Sequence, residues 1–272
     1  MMVTLPRLRG RARIAPRIAA LIATLAVLTG CASVVPAPAV ANASDYPVAE
    51  SWARVLSAHV DDQGRVDFAG VARNRGDLDR FVAWIYETGP NNQPHRFPAA
   101  TDVLAYHLNA YNALALYNVI AAGMPTALAT FGERYDFFYR RTLRVGGEDI
   151  SLYDYENRVI RALGEERVHF ALNCMAVSCP RLPRKPFNAA TLDEDLARET
   201  ARFFAEARNF TVDDAARTVR LSEILKFYPD DFLAKAPSLA AYAGRYAGRT
   251  VPENYSVTFT PYDWTINRQP AK

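Results

Sequence analysis

The chain predicts an α+β fold, a single globular domain of helices packed on a small mixed or antiparallel sheet. Three observations lead there: helical periodicities separated by hairpins rather than alternating as βαβ units, one long apolar helix, and two turn-centred strand pairs. In order, Val48 to Val60 places Trp52, Val55, Leu56 and His59 at helical spacing. Asp61 to Gly64 is a turn and Arg65 to Phe68 a short strand. Leu78, Phe81, Val82 and Ile85 mark the next helical face, and Gly89 to Ala99, with three prolines, is a loop. Thr101 to Ala122 is the longest helical pattern, capped by Thr101-Asp102 and stopped by Gly123 and Pro125. Thr142 to Ser151 reads as a hairpin turning on Gly146-Gly147. Ser151 then starts a helix in capping-box fashion that runs to Leu163. Val168 to Cys174 reads as an apolar strand and Leu192 to Ala207 as a helix. A hairpin follows over Phe210 to Val212 and Thr218 to Leu221, then helical pieces after Ser222 and a last strand at Ser256 to Thr260.

The amino terminus speaks to location. Arg7, Arg9, Arg11, Arg13 and Arg17 precede the continuous apolar run Ile18 to Leu28, the layout of an export signal. The run is shorter than the roughly 20 residues a bilayer span needs. Leu28-Thr29-Gly30-Cys31 resembles a bacterial lipoprotein lipobox, which implies cleavage before Cys31 and its acylation. The expected organisation is a signal peptide over 1–30, a flexible tether over 31–44 rich in alanine and proline, and one domain over 45–272. Ala32 rather than aspartate after the cysteine points to the outer membrane, facing the periplasm.

Loss of the five leader arginines takes the formal charge from +3 to −2, so the basic balance belongs to the export signal. No basic run with interleaved aromatics follows, which excludes nucleic acid as an expected partner. The expected partners are a membrane, through lipid on Cys31, and a small-molecule or peptide ligand. Nothing suggests a nucleotide, flavin, haem or pyridoxal cofactor. His59, His95 and His107 lack metal-ligand spacing with each other or with the cysteines, so no metal is expected.

The chemistry-bearing stretch is His169-Phe-Ala-Leu-Asn-Cys174-Met-Ala-Val-Ser-Cys179-Pro180. With Cys31 acylated, Cys174 and Cys179 are the remaining thiols, in a compartment that oxidises them, and a short-loop disulfide is one reading. Another makes Cys179 or Cys174 a nucleophile, His169 its base and Glu156 the carboxylate that orients the imidazole, and plain buried thiols are a third. Strand alternation would put His169 and Cys174 on opposite faces, which favours Cys179 for that role. Asn109 and Asn112 share one helical face; they either bind neighbouring backbone or line a pocket, where they would bind substrate and stabilise an oxyanion.

These motifs in this order, Asn109-Ala-Tyr111-Asn112, Ser151-Leu-Tyr-Asp-Tyr-Glu156-Asn-Arg-Val-Ile-Arg161, His169 to Leu182, Phe227-Tyr228 with Asp231-Phe232, and Tyr262-Asp-Trp264-Thr-Ile-Asn267, resemble the domain of unknown function 547 (DUF547) family from about Ser51 to Asn267. His107 departs from that family's helix, which more often carries an aromatic residue such as tryptophan there. A helix followed by a His-bearing strand also bears a distant likeness to papain- and transglutaminase-like enzymes, although asparagines stand where their cysteine would open the helix. Two functions are expected: a lipid-anchored binding or scaffold protein with bridged cysteines, or a cysteine-dependent hydrolase or transferase acting on amides or thioesters.

Overall fold

A computed structural model describes residues 33–40 and 48–270. The expected leader and the acylated Cys31 lie outside the described residues. Ser33–Val34 (β1) lies parallel to Arg141–Val145 (β2), which pairs antiparallel with Glu148–Ser151 (β3). Between them come the helices α1 (Val48–His59), α2 (Phe68–Arg73), α3 (Gly76–Glu87), α4 (Ala100–Ala121) and α5 (Phe131–Tyr135). After β3, a short turn of helix, α6 (Leu152–Asp154), widens into π-type turns over Tyr155–Ile160. The long α7 (Leu192–Phe204) precedes β4 (Phe210–Asp213) and β5 (Thr218–Ser222). Then come α8 (Ile224–Phe227), α9 (Pro229–Leu233), α10 (Leu239–Tyr246) and β6 (Ser256–Thr260). β5 pairs antiparallel with β4 and parallel with β6, so two three-stranded mixed sheets stand where one small sheet was expected.

Helix α4 is apolar on every side, the pattern of a helix enclosed by its own protein. Apart from Asn109 it is buried from Ala105 through Val119, including the amides of Asn112 and Asn118. Around it Trp52, Leu56, Leu78, Ile85, Leu143 and Tyr155 form the first apolar cluster. The second cluster is ring-rich: Phe170, Phe203, Phe204, Phe232 and Tyr242 pack on Val219 and Leu221 of β5. The β2–β3 turn places Gly146 at φ +58 and Gly147 at φ +91, where a side chain would be strained. Both its amides donate to α3, to the carbonyls of Ile85 and Tyr86.

Four local expectations are corrected. Part of the presumed free tether is docked: Val35 is buried, and the Tyr86 and Tyr117 hydroxyls donate to the carbonyls of Val35 and Pro36. Small apolar residues read as a tether also suit a strand edge, and only the neighbouring tyrosines distinguish the two. The strand read over Arg65 to Phe68 shrinks to bridges at Val66, because Asp67 caps α2 through the Gly70 amide. The strand read over Val168 to Cys174 is instead a 3₁₀ turn, Glu166–Phe170, followed by an irregular loop. An apolar run of that length does not by itself separate strand from buried turn. The helix read to Leu163 begins at the Ser151 cap as expected, yet its turns widen past Tyr155.

The carboxyl-terminal strap sets the site. It crosses three separate segments, through backbone bonds from Leu128 to Trp264, from Val177 to Thr265 and from Val66 to Asn267. These contacts fix Tyr262 and Trp264 beside the loop that carries the two cysteines.

Candidate functional site

His169, Cys174, Cys179 and Glu156 all line one cavity of about 470 Å3. They arrive there by different routes. His169 sits in the 3₁₀ turn, so the alternation that would have separated it from Cys174 does not operate. Asn112, buried on α4, shapes the next residues: its Nδ2 donates to the Ala171 carbonyl at 3.0 Å and its Oδ1 accepts from the Asn173 amide at 2.7 Å. Asn173 in turn spans the cysteine loop, donating to the Pro180 carbonyl at 2.6 Å and accepting from the Met175 amide at 2.7 Å. Met175 takes a left-handed conformation, φ 68, within that clamp.

Cys174 and Cys179 form a disulfide. Cys179 is buried, while Cys174 is partly exposed. The Cys179 sulfur accepts from the Cys174 amide at 3.1 Å, and the Tyr262 hydroxyl lies 3.1 Å from Cys179 Sγ and 3.3 Å from Cys174 Sγ. Burial raises the Tyr262 pKa, so its hydroxyl remains a donor at physiological pH.

The partner of His169 is Asp231 rather than Glu156. His169 Nε2 donates to Asp231 Oδ2 at 2.7 Å, and the Arg161 guanidinium holds both oxygens of the same carboxylate at 2.8 Å. The hydrogen bond from His169, reinforced by Arg161, drives the Asp231 pKa well below the carboxylate range. One face of the imidazole stacks on Tyr228, with ring centroids 4.1 Å apart, and the Arg161 guanidinium lies over that tyrosine ring. The role assigned to Glu156, orienting the imidazole, is therefore corrected: a separation of 62 positions hid the true acid, and α9 delivers it.

Glu156 faces other groups. It accepts from the Tyr111 hydroxyl at 2.9 Å, and its charge also acts on the nearby Tyr228. Burial is the first cause, and the Glu156 carboxylate a further one, that raises the pKa values of Tyr111 and Tyr228. The wide turn over Tyr155–Ile160 supplies Glu156 and Asn157 to the cavity, and a second π-type turn, Asp136–Arg140, supplies Phe138 and Tyr139. Such wide turns recur at functional sites because they re-aim side chains out of helical register. At the mouth, Phe131, Tyr135, Tyr139 and Tyr153 form a continuous row of stacked rings, each at least two-fifths exposed. Arg134, stacked on Trp264, donates to the carbonyls of Leu128 and Ala129.

The two asparagines do not join this site. Asn109 turns its amide to the carbonyls of Ala105 and Phe187 and accepts from the Phe187 amide, on the wall of a separate groove of about 1150 Å3. Asn112 is consumed by the backbone of 171–173. The oxyanion and substrate-binding roles are thus replaced by the blander one, two amides that pin neighbouring loops. His107 is buried on α4 against the Tyr155 hydroxyl, 2.8 Å away, and lies apart from the cavity lining. Among the described residues no group of three or more His, Cys, Asp or Glu is placed to hold a metal ion. No helix among them is long and apolar enough to cross a membrane.

The sequence reasoning assigned no role to Asp231, Arg161, Tyr228, Tyr262 or Arg208, whose guanidinium binds the carbonyls of Val177 and Cys179 in the cysteine loop. Their spacing carries no signal, because four of the five reach the cysteine and histidine segment from more than thirty positions away or from another helix. Only the order of motifs in the family resemblance singles out Arg161, Tyr228, Asp231 and Tyr262, and it assigns them no role.

Comparison with known proteins bears on part of the chain. Residues 98–204 match the model of a family described as a protein of unknown function, DUF547. The match supports the domain family and spans α4 through α7, the segment that carries Tyr111, Glu156, His169 and both cysteines. No curated protein matches, and no solved structure matches.

Proposed function

We propose that residues 98–204, with the α8–α9 segment and the carboxyl-terminal strap, build a small-ligand-binding domain that an export signal and an acylated Cys31 anchor to the cell envelope. The observation that carries this reading is the cavity of about 470 Å3 with aromatic walls, where among the described lining residues the one carboxylate, Glu156, feels Arg161 at longer range but is held by no arginine in an ion pair. Concave, mostly apolar spaces with a few placed polar groups are the usual form of small-molecule sites. Arg161 is bound by Asp231 and acts on Glu156 at longer range, Arg134 is engaged by carbonyls, and the Tyr111 phenol donates to Glu156. A carboxylate offers about four acceptor positions, and the Tyr111 hydroxyl occupies one of them. Aromatic faces around such a carboxylate attract a protonated amine. The ligand class is therefore a small molecule with a flat apolar portion and an ammonium group.

The binding reading is favoured over the cysteine hydrolase because the sulfurs are joined: neither is a nucleophile while bridged, and the imidazole is committed to Asp231. Calorimetric titration of the oxidised protein with phenethylamine, phenethyl alcohol and phenylpropionate tests it. The amine is expected to bind most tightly, and Glu156→Gln to weaken it by about tenfold or more, the worth of one charge-assisted contact. Equal affinity for all three, or none, overturns the reading. Cys31→Ser is expected to release the chain from the membrane fraction, and a variant that stays membrane-bound refutes the anchor.

A further inference from the structure

We propose that the Cys174–Cys179 disulfide is an exchangeable redox centre that oxidises a dithiol entering the cavity, rather than a structural staple. It uses the cavity of the binding reading but does not depend on an ammonium ligand.

The first argument is redundancy. A bridge between positions five apart closes a short loop, where a cross-link removes little chain entropy. That loop is already held from all sides. Asn173 ties Met175 to Pro180, the Cys179 amide donates to the Ala176 carbonyl, and Val177 and Ser178 donate to the carbonyls of Thr265 and Asp263 on the terminal strap. The Arg208 guanidinium binds the carbonyls of Val177 and Cys179 from the far side. A loop so fixed keeps its shape with the sulfurs reduced.

The second argument is polarity. Cys174 is the more exposed residue of the pair and Cys179 is buried, so a thiolate coming through the cavity attacks Cys174 Sγ and expels Cys179. Leaving-group stability sets much of the rate of exchange. The expelled sulfur lies at the convergence of two donors, the Cys174 amide and the Tyr262 hydroxyl. The guanidinium of Arg208 stands close enough to act on Tyr262 as well. Hydrogen bonds and a nearby cation are the features that lower thiol pKa values.

The step balances within one turnover. A partner thiolate bonds to Cys174 Sγ as the Cys174–Cys179 bond breaks, and the electron pair goes to Cys179 Sγ. The partner's second thiolate then attacks its own sulfur in the mixed disulfide and expels Cys174. The partner gives up two electrons and two protons and becomes a disulfide, and Cys174 and Cys179 become two thiols.

The test uses the full mature chain in native buffer with dithiothreitol as the dithiol, followed by maleimide trapping and mass spectrometry. Reduction is expected in the folded protein and is expected to reverse with oxidised glutathione. In Cys179→Ser, Cys174 is expected to form a mixed disulfide with glutathione. Tyr262→Phe is expected to slow native reduction by about threefold to tenfold, the worth of one hydrogen bond. Reduction that proceeds only in denaturant, or a Tyr262→Phe rate equal to the parent's, overturns the proposal. Should Cys179→Ser misfold, the parent's rate against denaturant concentration still decides, since exchange through global unfolding rises steeply with denaturant. Phenethylamine titration of oxidised protein separates the two proposals: binding without native exchange sinks only this one, and exchange without binding sinks only the ammonium site.

Discussion

The two apolar clusters treat a buried histidine in opposite ways. Around α4, His107 meets only the Tyr155 hydroxyl and aromatic edges, and burial pushes its pKa down to about 4. Against the second cluster His169, equally hidden, is met by the Asp231 carboxylate, which Arg161 also holds. The first environment excludes charge; the second gathers charge against aromatic rings at the edge of a cavity. Groups held this way mark the part of a protein where binding or chemistry is done, since a region built only for packing has no use for the cost of desolvating them.

The comparison breaks most visibly if the second cluster is not a working part of the same domain. Leu114→Ala in α4 and Phe170→Ala in the second cluster each remove a fully buried side chain and are expected to cost about 3–5 kcal/mol. Both are expected to shift one urea transition seen alike by far- and near-ultraviolet circular dichroism. A separate early transition for Phe170→Ala would show the cavity region unfolding on its own.

A smaller effect sharpens the histidine contrast. His107 stays neutral in the folded chain down to about pH 4, while the unfolded chain takes up its proton below about 6.5. Its folded value is depressed, so stability falls on acidification between those values, by about 2–4 kcal/mol for a shift of this size. His107→Phe is expected to flatten the stability profile from pH 6.5 to 4, even if loss of the Tyr155 partner lowers the whole curve. An unchanged slope would locate the titration elsewhere.

The least effect is expected at Asp231. Its folded pKa is depressed by His169 and Arg161, so its contribution is present above the unfolded value near 4 and disappears as pH falls through the folded value. At one-quarter exposure the network is partly screened, and Asp231→Asn is expected to cost about 1–3 kcal/mol at pH 7 and to weaken the acid dependence below pH 4. Chemical denaturation at a series of pH values checks both histidine neighbourhoods with one method. Full stability in Asp231→Asn at neutral pH would remove the contrast.

Legibility in the sequence followed the range of the interactions. The Gly146-Gly147 hairpin, the Ser151 cap and the long α4 pattern depend on neighbours a few positions away, and each was readable. The 3₁₀ turn at His169 was not, because an apolar run of seven residues suits a buried turn as well as a strand. Of the site, His169, Glu156 and the two cysteines could be singled out by residue type as candidates, whereas the pairing of His169 with Asp231 could not. Asp231 and Tyr262 reach it from sixty-two and eighty-three or more positions away, and no local pattern distinguishes them from other acids and tyrosines.

By itself the sequence determined an α+β chain with a helix enclosed by its own core, and it singled out one histidine and one cysteine pair as candidates for chemistry. Periodicity and turn chemistry suffice for that, since they are properties of adjacent residues. Only the tertiary structure decided which acid holds the imidazole, that both asparagines serve the backbone, and that a terminal strap lays a phenol against the bridged sulfurs. Those outcomes depend on which distant segments share a wall, and hydrogen-bond geometry, unlike residue type, exists only once the chain has closed on itself.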